Sequence, residues 1–307
     1  MIYTLDVRQS GTWYKALQAS NSISWGSDKD TLAVDLSFNS LRELSEGTIV
    51  RLKTESISAF LGTVIKKTKT KNSYSYECQD FARVLGKNET IIQFNKISGD
   101  TAIKQLCSKF GVKVNCIGIS TLISKIYKDM TLADIIEDIL EQATLEKGIK
   151  YIKEMRGDTL YIRVLTDFKI YPEFILARDL AVNNSIEDMK NKILVVSSDE
   201  DNNRILATVQ DSKNINTYGS FQEVLSIEAK DISKAKNIAE NRLAEANKVF
   251  KDTTLNTLVT SGGEDIRANR MISLSIKSMG LNGWYSIKSC SNTLENGTMK
   301  SSITIEW

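Results

Sequence analysis

Leu32, Val34, Leu36 and Phe38 alternate with polar residues, which predicts a strand with one buried face. Val50 and Leu52 repeat the pattern, and the run Leu61-Gly62-Thr63-Val64-Ile65 follows. Beyond the Lys/Thr stretch from Lys66 to Lys71, the residues Tyr74, Tyr76 and Cys78 alternate again. Short strands at this spacing suggest a small barrel or sandwich. Near Ser98 the period lengthens. Ile103, Leu106, Cys107 and Phe110 fall on one side of a helix that Asp100 can cap and Gly111 can stop. A second helix is clearer. Leu132, Ile135, Ile136, Ile139, Leu140 and Ala143 form its apolar stripe, Thr131 with Asp134 resembles a capping box, and Gly148 ends it. A strand from Thr159 to Leu165 completes an α+β module.

Pro172 marks a plausible boundary. Ser185 to Asn191 reads as a helical turn, and Ile193–Val196 and Ile205–Val209 as strands around the acidic loop Ser198-Asp199-Glu200-Asp201-Asn202-Asn203. A long helix is expected over about 231–250, with Ile232, Ala235, Ile238, Ala239, Leu243, Ala246 and Phe250 on its buried side. The chain then returns to strands. Ile272, Leu274 and Ile276 alternate, residues 281–287 carry a turn and a strand, and Ile303, Ile305 and Trp307 finish with period two.

This ending can be laid over the first third. Both segments run strand, short turn, strand, polar loop, strand. By eye, Val50 and Leu52 fall against Ile272 and Leu274, Gly62 against Gly283, and Tyr74, Tyr76 and Cys78 against Ile303, Ile305 and Trp307. An internal duplication predicts the same strand order in both segments.

Composition narrows the chemistry. The 307 residues, 41% hydrophobic and 25% charged, suit a globular protein of about two domains, and the net charge of +2 predicts no strong global pull toward nucleic acid or anionic lipid. There is no histidine, so Ser-His, Cys-His and His-metal schemes within one chain are excluded. Acid–base work would fall to carboxylates, Lys, Tyr or Cys. Cys78, Cys107, Cys116 and Cys290 have no CxxC spacing and read as reduced structural thiols, with a Cys107–Cys116 disulfide as the alternative. The N-terminus lacks a signal-peptide pattern, and no stretch approaches the roughly 18–20 apolar residues of a membrane span. Folding in the cytoplasm is therefore expected.

The candidate sites each have a bland reading. Asp199 to Asn203 alternates oxygen ligands as a calcium loop would, but Arg204 stands where the loop needs Gly and Gln210 where it needs an acid. An acidic hairpin tip fits better. Lys66, Lys67, Lys69 and Lys71 could track phosphates, yet lysine is also the usual guard of an edge strand, and that reading is preferred. Ser261-Gly262-Gly263-Glu264-Asp265 is a turn before a strand and lacks a phosphate-loop pattern. Asp134, Glu137, Asp138 and Glu141 read as a solvent face. Trp13, Trp25, Trp284 and Trp307 read as core or subunit contacts. No catalytic, cofactor-binding or metal-binding residue is assigned.

Several motifs in order resemble XkdQ/YqbQ-type phage tail proteins. They are Tyr74-Ser75-Tyr76-Glu77-Cys78-Gln79-Asp80 with Leu85-Gly86-Lys87-Asn88-Glu89, then Gly99-Asp100-Thr101-Ala102-Ile103 and Phe110-Gly111-Val112. Asn184-Ser185-Ile186-Glu187-Asp188-Met189-Lys190-Asn191 follows, and Gly280-Leu281-Asn282-Gly283-Trp284-Tyr285-Ser286-Ile287 with Asn296-Gly297-Thr298-Met299 closes the set. A histidine common near the last polar loop is absent between Ser289 and Asn292.

The resemblance implies a contractile-tail baseplate hub, similar to phage late-control D proteins, the T-even central hub and the N-terminal part of VgrG. The implied fold is mainly β with an α+β insert: a first tube-like β-barrel domain at 1–97, an α+β domain at 98–168, and a second tube-like domain at 169–307 carrying the helix over 231–250. The implied function is structural and non-enzymatic. A homotrimer would adapt a hexameric tail tube to a trimeric spike. Its partners would be the tail tube protein or tube initiator, the central spike protein and other baseplate proteins, with no membrane, no cofactor and no direct nucleic-acid contact. Assembly would occur in the bacterial cytoplasm, and the product would be part of a virion tail or a released bacteriocin-like tail. The alternatives are another tail component, such as a tube initiator or spike base, and a carboxylate-dependent cell-wall hydrolase.

Overall fold

A computed structural model describes residues 2–307 except 16, 20, 56, 178, 179 and 199–203. The acidic stretch Asp199 to Asn203, and with it the calcium-loop question, lies outside the described residues.

The chain opens with seven strands: β1 (Thr4–Gln9), β2 (Thr12–Tyr14), β3 (Ile23–Asp28), β4 (Asp35–Ser40), β5 (Ile49–Lys53), β6 (Ser58–Lys69) and β7 (Tyr74–Asp80). An α+β segment follows, comprising α1 (Arg83–Lys87), β8 (Glu89–Ser98), α2 (Gly99–Ser108), β9 (Lys113–Cys116), β10 (Leu122–Thr131), α3 (Leu132–Lys147), β11 (Tyr151–Arg156) and β12 (Thr159–Val164). Then come β13 (Lys169–Ile170), β14 (Glu173–Leu176) and β15 (Asn183–Ser185). A second α/β segment has β16 (Lys192–Ser197), β17 (Ile205–Gln210), α4 (Ser212–Tyr218), β18 (Gln222–Ile227) and α5 (Ala235–Ala246). The chain ends with β19 (Phe250–Ser261), β20 (Met271–Ile276), β21 (Leu281–Glu295) and β22 (Thr298–Glu306).

The fold is mainly β with α+β insertions, as the pattern predicts. Fourteen strands from both ends of the chain form one curled half-barrel sheet, with the order β14-β19-β22-β21-β3-β4-β7-β6-β5-β1-β2 along its main path. Its buried face is a single core. Val7, Trp25, Leu36, Phe38, Leu52 and Phe60 from the N-terminal strands pack in one cluster with Leu255, Ile272, Ile287, Ile303 and Ile305 from the C-terminal ones. The alternation that predicted β4 does this directly, since Leu36 and Phe38 point inward and Asp35 and Ser37 outward.

The α+β segment has its own core. Ile103, Leu106 and Cys107 of α2 meet Ile135, Ile136 and Ile139 of α3 over Phe94, Ile123, Tyr127 and Leu160. The expected cap is present: the Asp134 N–H donates to Thr131 Oγ1 at 3.2 Å, and Gly148 ends α3 with φ 66°, a conformation that favours glycine. Residues 89–97, grouped with the first β domain by the sequence pattern, form β8. Among the described residues that strand pairs only with β10, and it turns Ile92 and Phe94 into the helical core. The second α/β segment packs Ile193 and Val195 of β16 against Ala235, Ile238 and Ala239 of α5.

Three expectations are corrected. The helix over 231–250 is shorter: Ala229–Lys234 is a 3-10 turn, and α5 stops at Ala246. Asn247 halts it by donating its side-chain amide to Asp211 Oδ2 and accepting from Asn214, both at 2.8 Å. Phe250 already belongs to β19, opposite Ser185. The helical turn expected over Ser185 to Asn191 is confined to residues 186–189, since Ser185 ends β15; the Met189 N–H meets Ile186 O at 3.1 Å, the Glu187 N–H lies on Ser185 Oγ, and Met189 is buried. Residues 281–287 are continuous strand. The turn lies before them, at Lys277–Met279 with Gly280 at φ 68°.

Candidate functional site

The sheet is a repeat, and hydrogen bonding sets its register. In the first unit Val64 closes onto the residues before β5: the Gly47 N–H donates to Val64 O at 2.8 Å and the Val64 N–H to Thr48 O at 2.9 Å. In the second unit Ile287 does the same, with the Asn269 N–H on Ile287 O at 3.0 Å and the Ile287 N–H on Arg270 O at 2.8 Å. Each of these residues is followed by a β-bulge, between Val64 and Lys66 and between Ile287 and Ser289. Across the next strand, Val64 faces Cys78 and Ile287 faces Ile305. Beyond that, Leu36 of β4 faces Cys78 while Thr253 of β19 faces Ile305.

The order β4-β7-β6-β5 thus recurs as β19-β22-β21-β20, which is the strand order the duplication requires. The alignment of Val50 and Leu52 with Ile272 and Leu274 holds: Val50 sits opposite Gly62, and Ile272 opposite Tyr285. The rest of the alignment read by eye is two residues out. Gly62 matches Tyr285, not Gly283, and Tyr76 and Cys78 match Ile303 and Ile305. A two-residue slip preserves every buried face, so hydrophobic alternation cannot detect it. Gly62 is required locally, because a Cβ there would lie 2.1 Å from Gln79 O. The units differ at one edge: β1 runs antiparallel to β5, whereas β13 runs parallel to β20.

The two units are joined within the chain by β3 and β21. Ser27 lies opposite Cys290, Gly26 opposite Ser291 and Trp25 opposite Asn292. Side chains meet across this seam, with Ser27 Oγ 3.4 Å from Cys290 Sγ. Gly26 is tight for the same reason, since a Cβ would approach Cys290 O to 2.7 Å. Behind the seam, Ser301 Oγ donates to Asn292 Oδ1 at 2.6 Å in a fully buried pair.

A buried ionic knot ties the sheet to the α+β segment. Arg270, 2% exposed, donates to Glu154 Oε2 of β11 at 2.8 Å and to Asp265 Oδ1 at 2.6 Å. Arg267 donates to the Met155 and Ala59 carbonyls. Burial pushes the Glu154 carboxyl up, but Arg270, Arg156 and Arg267 outweigh it and hold it below the ordinary range. Asp80 is the opposite case. Burial lifts its carboxyl to about 7, against the opposing pull of Arg267, and among the described residues its Oδ2 has no hydrogen-bond partner. Sequence reasoning missed this knot. Its only trace was the pair of arginines following the Gly262-Gly263 turn, which was read as a turn alone.

The sequence candidates fall as follows. Lys66 pairs with Glu77 at 2.6 Å and Lys67 with Glu43 at 3.1 Å, on the distal half of β6 where β5 has ended. Gly263–Asp265 is a 3-10 turn, and its Asp265 serves Arg270. Of the acidic residues on α3, Asp134 accepts from the hydroxyl of the capping Thr131 at 2.6 Å. Asp138 accepts from Tyr127 Oη at 2.6 Å and Lys125 at 2.8 Å, and Glu137 pairs with Lys153. Trp25 is buried against Tyr3, Trp307 packs on Tyr285, Trp284 on Tyr171, and Trp13 lies under Arg51. All four cysteines are free.

A cleft of about 450 Å³ opens between α3 and α5, lined by Glu137, Glu141, Lys153, Glu223, Arg242 and Glu245. Its charges are largely satisfied by one another, since Arg242 grips Glu223 at 2.9 and 3.0 Å and Glu245 at 2.9 Å. This is the chemistry of a seam between modules. Among the described residues no cluster of three Cys, Asp or Glu could hold a metal ion, and no helix is long and apolar enough to cross a membrane.

Known proteins of similar fold agree with this architecture. The 43 kDa tail protein of prophage MuSo2 from Shewanella oneidensis superposes with a TM-score of 0.69 at 13% identity, covering 98% of both chains. Prophage tail protein gp18 from Listeria monocytogenes gives 0.69 at 10% identity, over 98% of this chain and 94% of its own. The E. coli c3393 protein, a component of the type VI secretion system, gives 0.53 at 10% identity, over 99% of this chain and 76% of its own. No curated protein matches the sequence. These likenesses establish the phage-tail-protein fold. The YQBQ-like family model matches residues 23–306, nearly the whole chain, and the protein therefore belongs to the YQBQ-like family.

Proposed function

We propose that this chain is the structural hub of a contractile-tail baseplate, a homotrimer that adapts a hexameric tail tube to a trimeric spike. The observation that carries this reading is the repeated sheet. Two units of the same strand order, hydrogen-bond closure and bulge position sit side by side in one chain. Three chains around an axis then offer six similar surfaces to a six-fold ring. The similarity to prophage tail proteins and to a type VI secretion component supports the same role.

The division into a first tube-like domain, an α+β domain and a second tube-like domain belongs to this proposal. So do the partners: tube protein or tube initiator, central spike and other baseplate proteins. The role is scaffolding without catalysis. The particle would assemble in the bacterial cytoplasm and carry the protein in its tail.

The test is native mass measurement followed by imaging down the particle axis. The expected species has three times the 34.4 kDa chain mass, with six similar densities around a three-fold axis. A monomer that ignores tube and spike proteins would sink the proposal, and cell-wall clearing by the purified chain would overturn the non-enzymatic part.

A further inference from the structure

The internal junction is a template for a contact between molecules. Strand β3 pairs on one side with β4 and on the other with the distal half of β21. The repeat places a counterpart of each partner elsewhere in the chain. Gly26 faces Asp35, which faces Gln79. In the second unit Asn183 faces Asp252, which faces Glu306. Residues 180–185 therefore correspond to residues 23–28. By the register set at Val64 and Ile287, residues 66–69 correspond to residues 289–292, beyond which β6 turns at Thr70 while β21 continues.

Both counterparts have an unused edge. Among the described residues β15 pairs only with β19, and its three residues are exposed. The distal half of β6 pairs with β7 on one side. Among the described residues no strand lies on its other side beyond the closure at Val64. In the first unit that vacant side is where the counterpart of β3 would pair. The two edges differ in charge: Lys66, Lys67 and Lys69 line one, whereas residues 180–185 of the other are uncharged, so pairing there brings no like charges together. Unpaired edges recruit strands, and here the intrachain seam supplies both the direction and the register.

We propose that residues 182–185 of one copy pair antiparallel with residues 66–69 of a second copy, with Asn184 opposite Lys67 and Val182 opposite Lys69. The contact is head-to-tail, since each chain carries one edge of each kind, and such a contact closes into a ring when the rotation allows. It rests on the trimeric-hub reading and names the contact that builds the trimer. The lysines then have a use beyond guarding an edge: they keep it soluble until a neighbouring copy covers it.

The experiment is oxidative cross-linking of the full chain. The internal pair Ser27 and Cys290 already places side-chain atoms at 3.4 Å, so Ser27→Cys should close an intrachain disulfide with Cys290 and serves as the positive control. Asn184→Cys combined with Lys67→Cys occupies the matching positions between copies. Oxidation should remove the monomer band and give disulfide-linked species up to the trimer. Asn184→Cys with Lys69→Cys, two residues out of register, should leave the monomer band intact. Melting temperatures of the three variants, all of which alter seam or edge positions, check that each folds.

A trimer by mass in which Asn184→Cys/Lys67→Cys fails to link, while the Ser27→Cys control oxidises, overturns the pairing and leaves the hub reading standing. Linking through Lys69→Cys instead overturns the register. A protein that stays monomeric throughout overturns both.

Discussion

Asp80 and the Arg270–Glu154 pair show two fates of a buried charge. The Asp80 carboxyl is raised from its ordinary 3.8 to about 7. Between those values the folded state binds a proton that the unfolded chain releases, so stability falls as pH rises through that window. The loss between pH 5 and 7 should be on the order of 2 kcal/mol, at about 1.4 kcal/mol per pH unit. Asp80→Asn keeps the oxygen that accepts from the Ala82 N–H and should flatten the slope, as read by urea unfolding at several pH values. Glu154 titrates below this range because its carboxyl is held down, so its stabilisation is fully present above the unfolded value and is lost only as pH falls further. Arg270→Met leaves the buried Glu154 paired directly with Arg156 but not with Arg270 and should cost up to about 3–5 kcal/mol, whereas Arg270→Met with Glu154→Met should recover most of it. Denaturant midpoints of the two variants decide the point. Neither residue advertised itself in the sequence. An Arg and a Glu over a hundred positions apart look like surface charges until the fold brings them together.

At the scale of elements, helix ends were legible and helix lengths were not. Thr131, Asp134 and Gly148 marked both ends of α3 because caps are local chemistry. Thr131→Ala should therefore destabilise by about 1 kcal/mol, measured by thermal or chemical unfolding. Gly148→Ala should cost at least as much. Its φ is unfavourable for alanine, and the added Cβ would meet Asn241 Oδ1 at 2.9 Å. Asn241 is itself engaged, donating to Leu145 O at 2.8 Å, so α5 caps the last carbonyls of α3 across the module seam. The end of α5 was misjudged because its helical period continued to Phe250, whereas pairing of Phe250 with Ser185 claims that residue for β19. Of the strands, β4, β7 and β22 showed clean alternation, and β16 and β17 showed as short apolar runs. β3 and β19 escaped notice, because the alternation of β3 stops after Ile23 and Trp25 and the buried Thr253 and Thr257 interrupt that of β19, even though both strands are central to the sheet.

At the scale of the whole molecule, the two β units are not independent bodies. Trp25, Leu36 and Phe38 share one core with Ile287, Ile303 and Ile305. A chain cut after Phe168 would leave the seam edge of β3 open and half that core uncovered. It should lack a cooperative unfolding transition, while the full chain shows one for the sheet, as followed by the fluorescence of buried Trp25. What the sequence by itself determined was what is local or periodic: which stretches alternate, where α3 begins and ends, that no histidine chemistry operates within the chain, and that the chain's two ends resemble each other. Only the tertiary structure decided the register of the repeat, the union of both units in one sheet, the buried Arg270–Glu154 tie and the two edges left open. The reason is physical. Alternation repeats every two residues and is blind to a slip of two, whereas hydrogen bonds such as those closing on Val64 and Ile287 admit a single partner each.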